Sequence, residues 1–142
     1  MTVSIFAAAA RGEVIKANVK DSVAQVVALL AERRIGCVPV VEGGRVVGIF
    51  SERDVIYGLA RVGAALLDKT VGEVMTSPPV TITADTPIIS ALSLMTRRRI
   101  RHLPIVENDR MVGFVSIGDL VKSRIDAVES EAEAMRSYIQ TA

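Results

Sequence analysis

The feature that most limits how this chain can fold is an internal repeat. Shifted by 65 positions, residues 19–57 align with residues 84–122 without a gap, and twelve of the 39 pairs are identical. The identities concentrate near the end of each copy and include Pro39 with Pro104, Gly48 with Gly113, and Asp54 with Asp119. A gapless repeat of this length predicts two copies of one supersecondary unit.

Each copy predicts the same order of elements, β-α-β-β-α. A short strand (residues 15–19, then 80–83) precedes a helix that Ser22 caps in the first copy and that begins at Pro87 in the second. Two apolar runs follow, at residues 37–41 and 46–50, joined by Glu-Gly-Gly-Arg, where the second copy has Glu-Asn-Asp-Arg. Gly, Asn and Asp tolerate positive φ, so both copies are expected to form β-hairpins followed by a second helix. Apolar residues at three- and four-residue steps predict one buried face on the first helix of each copy: Val23, Val26, Val27 and Leu30, then Ile88, Leu92 and Met95.

We therefore expect a mixed α/β (α+β) protein whose two β-α-β-β-α units pack about a pseudo-two-fold axis. The expected units are residues 1–64, with a short covering helix at residues 6–10, and residues 72–126. Residues 72–79 form the linker, because the two prolines there disfavour helix.

A helical extension, residues 127–142, is expected to continue the last helix to about Tyr138. Its apolar residues step by four and three, which is a heptad-like pattern. Part of this helix is therefore expected to pack on a partner chain, and we expect a homodimer. The stripe consists of Val121, Ile125, Val128, Ala132, Met135 and Ile139.

The composition argues against several functional classes. Seventeen basic and sixteen acidic residues leave a net charge of +1, which provides no global field for nucleic acid or an anionic membrane. The single cysteine cannot form an intrachain disulfide, and no apolar run approaches the eighteen or so residues that span a bilayer. The first residues lack the features of a secretory signal. These observations predict a soluble, cytoplasmic protein.

Two segments, Gly48-Ile-Phe-Ser-Glu-Arg-Asp54 and Gly113-Phe-Val-Ser-Ile-Gly-Asp119, repeat Gly, Ser and Asp at one spacing. Ser-x-x-Asp at a helix start is a variant of the capping box, in which both side chains satisfy backbone N–H groups. The same geometry also suits a ligand, because helix N–H groups donate hydrogen bonds to phosphate and a carboxylate accepts hydrogen bonds from a ribose diol. In the second interpretation the glycines allow a ligand to approach the backbone closely.

Together these features resemble the cystathionine β-synthase (CBS) domain. The resemblance rests on the strands Val38-Pro39-Val40-Val41 and Leu103-Pro104-Ile105-Val106, the turns, the two motifs above, and Glu73-Val-Met-Thr76, and it covers about residues 12–125. It implies a tandem CBS pair, or Bateman module, with two clefts for adenosine-containing ligands such as AMP, ADP, ATP, NAD(H) or S-adenosylmethionine. The implied function is a stand-alone regulatory or sensor module that transmits ligand occupancy through dimer and helix packing.

The resemblance also implies which residues bind the ligand. In one cleft Ile15, Gly36 and Cys37 would face the base beside Ser116 and Asp119; in the other, Val80, Arg101 and His102 would stand near Ser51 and Asp54. Val38 and Leu103, the next strand residues, complete the expected ligand-binding set. The aspartates would hold ribose, and Arg101 and His102 could also reach the phosphates of a ligand held by Asp119. Because Gly36 and Cys37 replace that basic pair in the first copy, the two clefts are expected to differ in affinity.

Other functions have weaker support in the sequence. The arginine-rich run at residues 97–102 is typical of nucleic-acid binding. However, the five aromatic residues, which would be needed to stack on bases, all lie elsewhere in the sequence, so we expect no nucleic-acid binding. Cys37 and His102 occupy equivalent positions, yet no third orienting group is evident, so we expect no catalytic residue, no metal and no catalytic cofactor. A ligand-free interaction or scaffold module with an unknown protein target remains the main alternative.

Overall fold

The computed structural model describes residues 1–9 and 14–141. It has six α-helices and five strands within these residues, and a 3₁₀ helix at Gly63–Asp68. The helices are α1 (Ser4–Ala9), α2 (Val23–Arg33), α3 (Glu52–Val62), α4 (Val71–Val74), α5 (Ile88–Arg98) and α6 (Ile117–Thr141). The strands are β1 (Ala17–Asn18), β2 (Cys37–Glu42), β3 (Arg45–Ser51), β4 (His102–Glu107) and β5 (Arg110–Ser116).

Both predicted hairpins are confirmed. Strands β2 and β3 pair antiparallel, as do β4 and β5. The turn residues have positive φ in each copy, 58° and 81° at Gly43 and Gly44 and 51° and 63° at Asn108 and Asp109. The register also breaks at the same place, after Val40 and after Ile105. The repeat therefore extends from sequence to backbone detail.

The first strand of each copy is shorter than predicted. Strand β1 has two residues, parallel to β2, and its counterpart in the second copy is a single parallel bridge between Ile82 and Ile105. A polar turn ends β1 early, because Asn18 N–H donates to the Asp21 carboxylate at 2.8 Å. The strands predicted at residues 15–19 and 80–83 are therefore correct in place and wrong in length.

The first helix of each copy begins as predicted. Ser22 Oγ accepts a hydrogen bond from Gln25 N–H, and the Gln25 side chain accepts from Ser22 N–H, which completes a capping box. Helix α5 follows Pro87. Both helices end at an arginine in the left-handed conformation, Arg34 at φ 54° and Arg99 at φ 55°. Of the predicted inward-facing residues, Val27 and Leu92 are only partly buried.

Each repeat has its own aliphatic core. The first core contains residues of β1, α2, β2, β3 and α4, and the second contains residues of α5, β4, β5 and α6. Leu120 is the only buried residue of α6, and every described residue from Glu129 onward is exposed except Ala132. Helix α6 is thus one continuous element that leaves its core after the first turns, three residues longer than predicted. None of the described helices combines the length and apolarity needed to cross a bilayer.

The first residues of the chain belong structurally to the second repeat. Val3 is fully buried in the second core, and its N–H donates to Thr86 O at 2.9 Å. Val71, the first residue of α4, is fully buried in the first core, and its N–H donates to Asp21 O at 2.8 Å. Residues 2–3 and 70–71 are both Thr-Val, so the core of each repeat is completed by the similar segment that precedes the other repeat. Helix α1 fits the predicted covering helix, whose last residue lies outside the described part of the chain.

Candidate functional site

A cleft of about 660 Å³ lies between the two repeats. Its first wall comes from the end of β3 and the start of α3, and its second from the linker and the turn between α5 and β4. We call it the inter-repeat cleft. The lining residues are Gly36, Cys37, Ile49, Ser51, Glu52, Arg53, Asp54, Ile56, Tyr57, Thr76, Pro78, Pro79, Val80, Arg99, Ile100, Arg101 and His102.

Ser51 and Asp54 form a capping box at the first wall. Ser51 N–H donates to Asp54 Oδ2 at 2.9 Å, and Asp54 N–H donates to Ser51 Oγ at 3.4 Å. The Ser51 hydroxyl also donates to Oδ2, at 3.2 Å. Capping and cleft lining are therefore not alternatives for this motif, because the same side chains do both.

Thr76 in the linker approaches the other oxygen of the same carboxylate. Its hydroxyl donates to Asp54 Oδ1 at 2.9 Å. A carboxylate has about four acceptor positions, two on each oxygen. Asp54 Oδ2 already accepts two hydrogen bonds and Oδ1 accepts one, so Oδ1 keeps one acceptor position, or two if Thr76 rotates away.

The glycines of the two motifs contact protein atoms. A Cβ on Gly48 would overlap the Met75 side chain and lie 2.9 Å from Thr76 O; one on Gly113 would lie 3.3 Å from Ala7 Cα. The structure thus explains these glycines by packing of the preceding segment against the hairpin. The interpretation that they admit a ligand to the backbone is wrong for the faces that Met75, Thr76 and Ala7 cover.

His102 lies in the second wall, half-buried, with its ring stacked on Phe114 at a centroid distance of 5.4 Å. Burial lowers its pKa below 6.5, because the charged imidazolium loses hydration. Asp119 and Glu52 oppose this shift and Arg101 reinforces it. The imidazole is therefore neutral at pH 7 and is surrounded by charges of both signs.

Cys37 lines the cleft as a neutral thiol. Burial raises its pKa to about 12, and the carboxylates of Asp54 and Glu52 add to the shift. A nucleophilic cysteine requires the thiolate, which these neighbours disfavour. The placement suits a small apolar group in the cleft wall.

The second motif repeats the cap. Ser116 N–H donates to Asp119 Oδ2 at 3.0 Å, and Asp119 N–H donates to Ser116 Oγ at 3.1 Å. Asp119 lines a more open hollow of about 580 Å³ between α6 and the first residues, with Met1, Ile5 and Lys122 among its neighbours. Within residues 1–9 and 14–141, no side chain donates to Asp119 Oδ1, in contrast to Thr76 at Asp54.

The structure brings together most of one expected residue set. Val80, Arg101 and His102 line the same cleft as Ser51 and Asp54, as the resemblance implied. Gly36 and Cys37, expected beside Ser116 and Asp119, line this cleft as well. The hairpin register explains their position, because Cys37 pairs with Ser51 and Glu52 N–H donates to Gly36 O at 3.0 Å.

Three expected residues lie elsewhere. Val38 and Leu103 are fully buried in the two cores, so only their backbone groups could contact a ligand. Ile15 packs against the first core and is not among the residues that line either hollow. The side chains of these three therefore do not line either hollow, and the ligand-binding roles that the resemblance implies for them stay predictions.

Several cleft residues were not predicted. They come from β3, from the start of α3, from the linker and from the turn after α5: Ile49, Glu52, Arg53, Ile56, Tyr57, Thr76, Pro78, Pro79, Arg99 and Ile100. Glu52, Arg53, Ile56 and Tyr57 differ from their counterparts in the second repeat, and residues 76–79 lie outside the internal alignment, so the repeat gave no signal for them. Arg99 and Ile100 do repeat Arg34 and Ile35, and the two prolines after Ser77 indicate an extended segment near the motif.

Comparison with known proteins gives a consistent result. Residues 8–61 and 71–126 each match the model of the CBS domain. The mitochondrial CBS domain-containing protein CBSX3 of Arabidopsis thaliana is 33% identical over 125 residues, which are 84% of this chain and 61% of that protein. An uncharacterized 33.4 kDa protein of Thermofilum pendens is 37% identical over 123 residues, 84% of this chain and 40% of that protein. The chain thus spans less than two thirds of these relatives.

Solved structures agree with the fold. A CBS-domain containing protein from Agrobacterium tumefaciens has a TM-score of 0.80 at 34% identity, covering 87% of this chain and 99% of that one. The CBS domain pair of protein MJ0100, in complex with 5′-methylthioadenosine and S-adenosyl-L-methionine, has a TM-score of 0.75 at 26% identity, covering 91% and 98%. These comparisons indicate no family of enzymes.

Proposed function

The chain belongs to the CBS domain family, and from that premise we propose that it is a regulatory module that binds an adenosine-containing ligand in the inter-repeat cleft. The observation that carries the proposal is the position of Asp54. Its carboxylate lies at the start of α3, in the wall of a cleft that faces the other repeat. A volume of about 660 Å³ lies within the range of small-molecule sites.

Asp54 is the proposed ribose ligand. The open acceptor position on Oδ1 can take one sugar hydroxyl, and rotation of Thr76 makes room for the second. The base would lie toward Val80, Gly36 and Cys37, where the wall is apolar and backbone groups are close. The relative of known structure that binds 5′-methylthioadenosine and S-adenosyl-L-methionine supports the adenosine part of this proposal.

The charge of the cleft favours a ligand that carries phosphate. Arg53, Arg99 and Arg101 line it against the carboxylates of Glu52 and Asp54, so the lining is net positive even with His102 neutral. Arginine binds phosphate through paired N–H groups. We therefore rank AMP, ADP, ATP and NAD(H) above S-adenosylmethionine, whose sulfonium is cationic.

Ligand occupancy would be transmitted through helix positions, in a homodimer. A ligand shifts a module only by its difference in affinity for two arrangements. Asp54 begins α3 and Asp119 begins α6, so a ligand at either carboxylate contacts the first turn of a helix with an exposed apolar face. Asp119 and Ser116 form the proposed second site, with a different affinity because its surroundings differ.

A thermal-shift panel of AMP, ADP, ATP, NAD, NADH and S-adenosylmethionine tests the proposal, followed by calorimetry on the best ligand. A ligand at a hundred times its dissociation constant stabilises the fold by about 2.7 kcal/mol. Asp54→Ala should weaken binding by about 1.5–3 kcal/mol, the range for hydrogen bonds to a charged group.

Asp119→Ala is the matched control, since it removes the equivalent helix cap from the other repeat. It should leave the inter-repeat cleft with its native affinity and should abolish only a second binding event. If no ligand in the panel raises the melting temperature, the protein is a ligand-free interaction module instead.

A further inference from the structure

From Val121 onward, α6 presents an apolar stripe that the described chain does not cover. Ile125, Met135 and Ile139 are 51%, 66% and 69% exposed. The stripe continues through Val121, Val128 and Ala132 at steps of four and three. These spacings repeat every seven residues, so the stripe stays on one side of a slightly supercoiled helix.

The stripe defines a heptad phase. Ile125, Ala132 and Ile139 occupy a positions, and Val121, Val128 and Met135 occupy d positions. Isoleucine at a favours two strands when leucine stands at d, whereas the d positions here are valine and methionine, so the apolar residues alone do not fix the number of strands. The hollow beside Met1 and Ile5 is lined by α6 residues at other heptad positions, so the first residues of the chain leave this stripe open.

The charges beside the stripe distinguish the possible arrangements. In a parallel, in-register pair, each g residue faces the e residue five positions later on the partner. Arg124 then faces Glu129, and Glu131 faces Arg136, so every such charged pair is attractive.

An antiparallel pair with full overlap has the opposite charge pattern. It places Glu129 opposite its own copy, Glu131 opposite its own copy, and Lys122 opposite Arg136. Antiparallel registers shifted by one heptad avoid these repulsions but leave two apolar residues at one end of each stripe uncovered. None of the α6 charges forms a salt bridge within 4.0 Å in the described structure, where the one such pair is Arg45–Asp109.

We propose that residues 121–141 form a parallel, two-stranded coiled coil with the same helix of a second copy. The occupant of the stripe is thus another molecule of this chain in the same orientation. Both modules then extend from the same end of the coil, related by a two-fold axis along it. The proposal concerns the assembly and holds whether or not the inter-repeat cleft binds an adenosine ligand.

Charge reversal on the full chain tests the orientation. Glu131→Arg and Arg136→Glu should each raise the dimer dissociation constant roughly tenfold, because two attractive pairs become repulsive. The double variant restores both pairs and should dimerise like the native chain. Sedimentation equilibrium measures all four constants. Residues 131 and 136 are five positions apart and do not face each other on one helix, so the rescue reports contacts between chains.

A cysteine scan gives an independent result. Met135→Cys should form a disulfide-linked dimer in a glutathione redox buffer, because d residues of a parallel pair face their own copies. Ser137→Cys, two residues away on the outer side of the helix, should stay at the background set by the native chain, whose Cys37 is buried.

Three outcomes would overturn the proposal: a native chain that sediments as a monomer, a double charge variant no tighter than the single ones, or disulfide formation between Met135→Cys and Ile125→Cys chains without self-linkage of Met135→Cys. The last result would indicate the antiparallel arrangement.

Discussion

Asp54 joins the two walls of the inter-repeat cleft through one carboxylate, because Ser51 donates to one of its oxygens and Thr76 donates to the other. Ser51 and Asp54 could be placed because the chain repeats them and because Ser-x-x-Asp needs a helix start. Thr76 could not, since its contact with Asp54 spans 22 residues of sequence. The side chains of Val38 and Leu103 face the cores, because strand residues alternate between faces, so only their backbone groups could fulfil the ligand-binding role expected of them.

His102 should make the stability of the fold depend on pH. Its pKa is lowered in the folded state, so the unfolded chain binds a proton more readily. The stabilising contribution is complete above the unfolded pKa of 6.5 and is lost as pH falls below it. Between about pH 7.5 and pH 5.5 the free energy of unfolding should fall more for the native chain than for His102→Gln. Urea unfolding at both pH values measures this difference, and equal losses would contradict it.

At the scale of elements, local signals gave helix starts and hairpins correctly because each depends on a few adjacent residues. The Gly-Gly and Asn-Asp turns have positive φ, and Ser22 caps α2 as its sequence indicates. The lengths of the first strands depend on pairing with a distant strand, which the sequence pattern does not reveal. Helix α6 exceeded its predicted end because nothing in its sequence before Thr141 breaks a helix.

Substitution of the motif glycine should cost more stability in the first repeat than in the second. Gly48→Ala should destabilise the fold by about 1–3 kcal/mol, because the added methyl group meets the Thr76 backbone and the Met75 side chain. Gly113→Ala is the matched control and should cost less, since its closest neighbour is Ile105 Cδ1 at 3.1 Å, the end of a flexible side chain. Chemical denaturation of both variants checks the order, and a larger loss for Gly113→Ala would refute it.

For the complete fold, the sequence predicts the two-fold repeat. It does not predict that Val3, at the start of the chain, lies in the second core while Val71, before the second repeat, lies in the first. Residues 2–3 align with residues 70–71 at an offset of 68 positions, whereas the rest of the repeat has an offset of 65, and the two segments share only Thr-Val. The predicted unit boundary at residue 64 remains a prediction, although Val3 contributes to the second core.

Shortening the side chain of Val3 or of Val71 should therefore destabilise opposite repeats. Val3→Ala and Val71→Ala each remove about two methyl groups from a fully buried site, which should cost about 1.5–3 kcal/mol. Hydrogen exchange should rise most in α5, β4 and β5 for Val3→Ala, and in α2, β2 and β3 for Val71→Ala. Faster hydrogen exchange in the first repeat after Val3→Ala would contradict the prediction that Val3 stabilises the second repeat.

The cap at Asp119 has a mechanical consequence. Helix α6 runs unbroken from Ile117 to Thr141, so the carboxylate near its origin and the distant tip belong to one stiff rod of roughly 37 Å. Rotation of this helix by about 5° at its first turn displaces its far end by roughly 3 Å. A sub-ångström adjustment around the cap would thus be magnified at the tip without any further moving part.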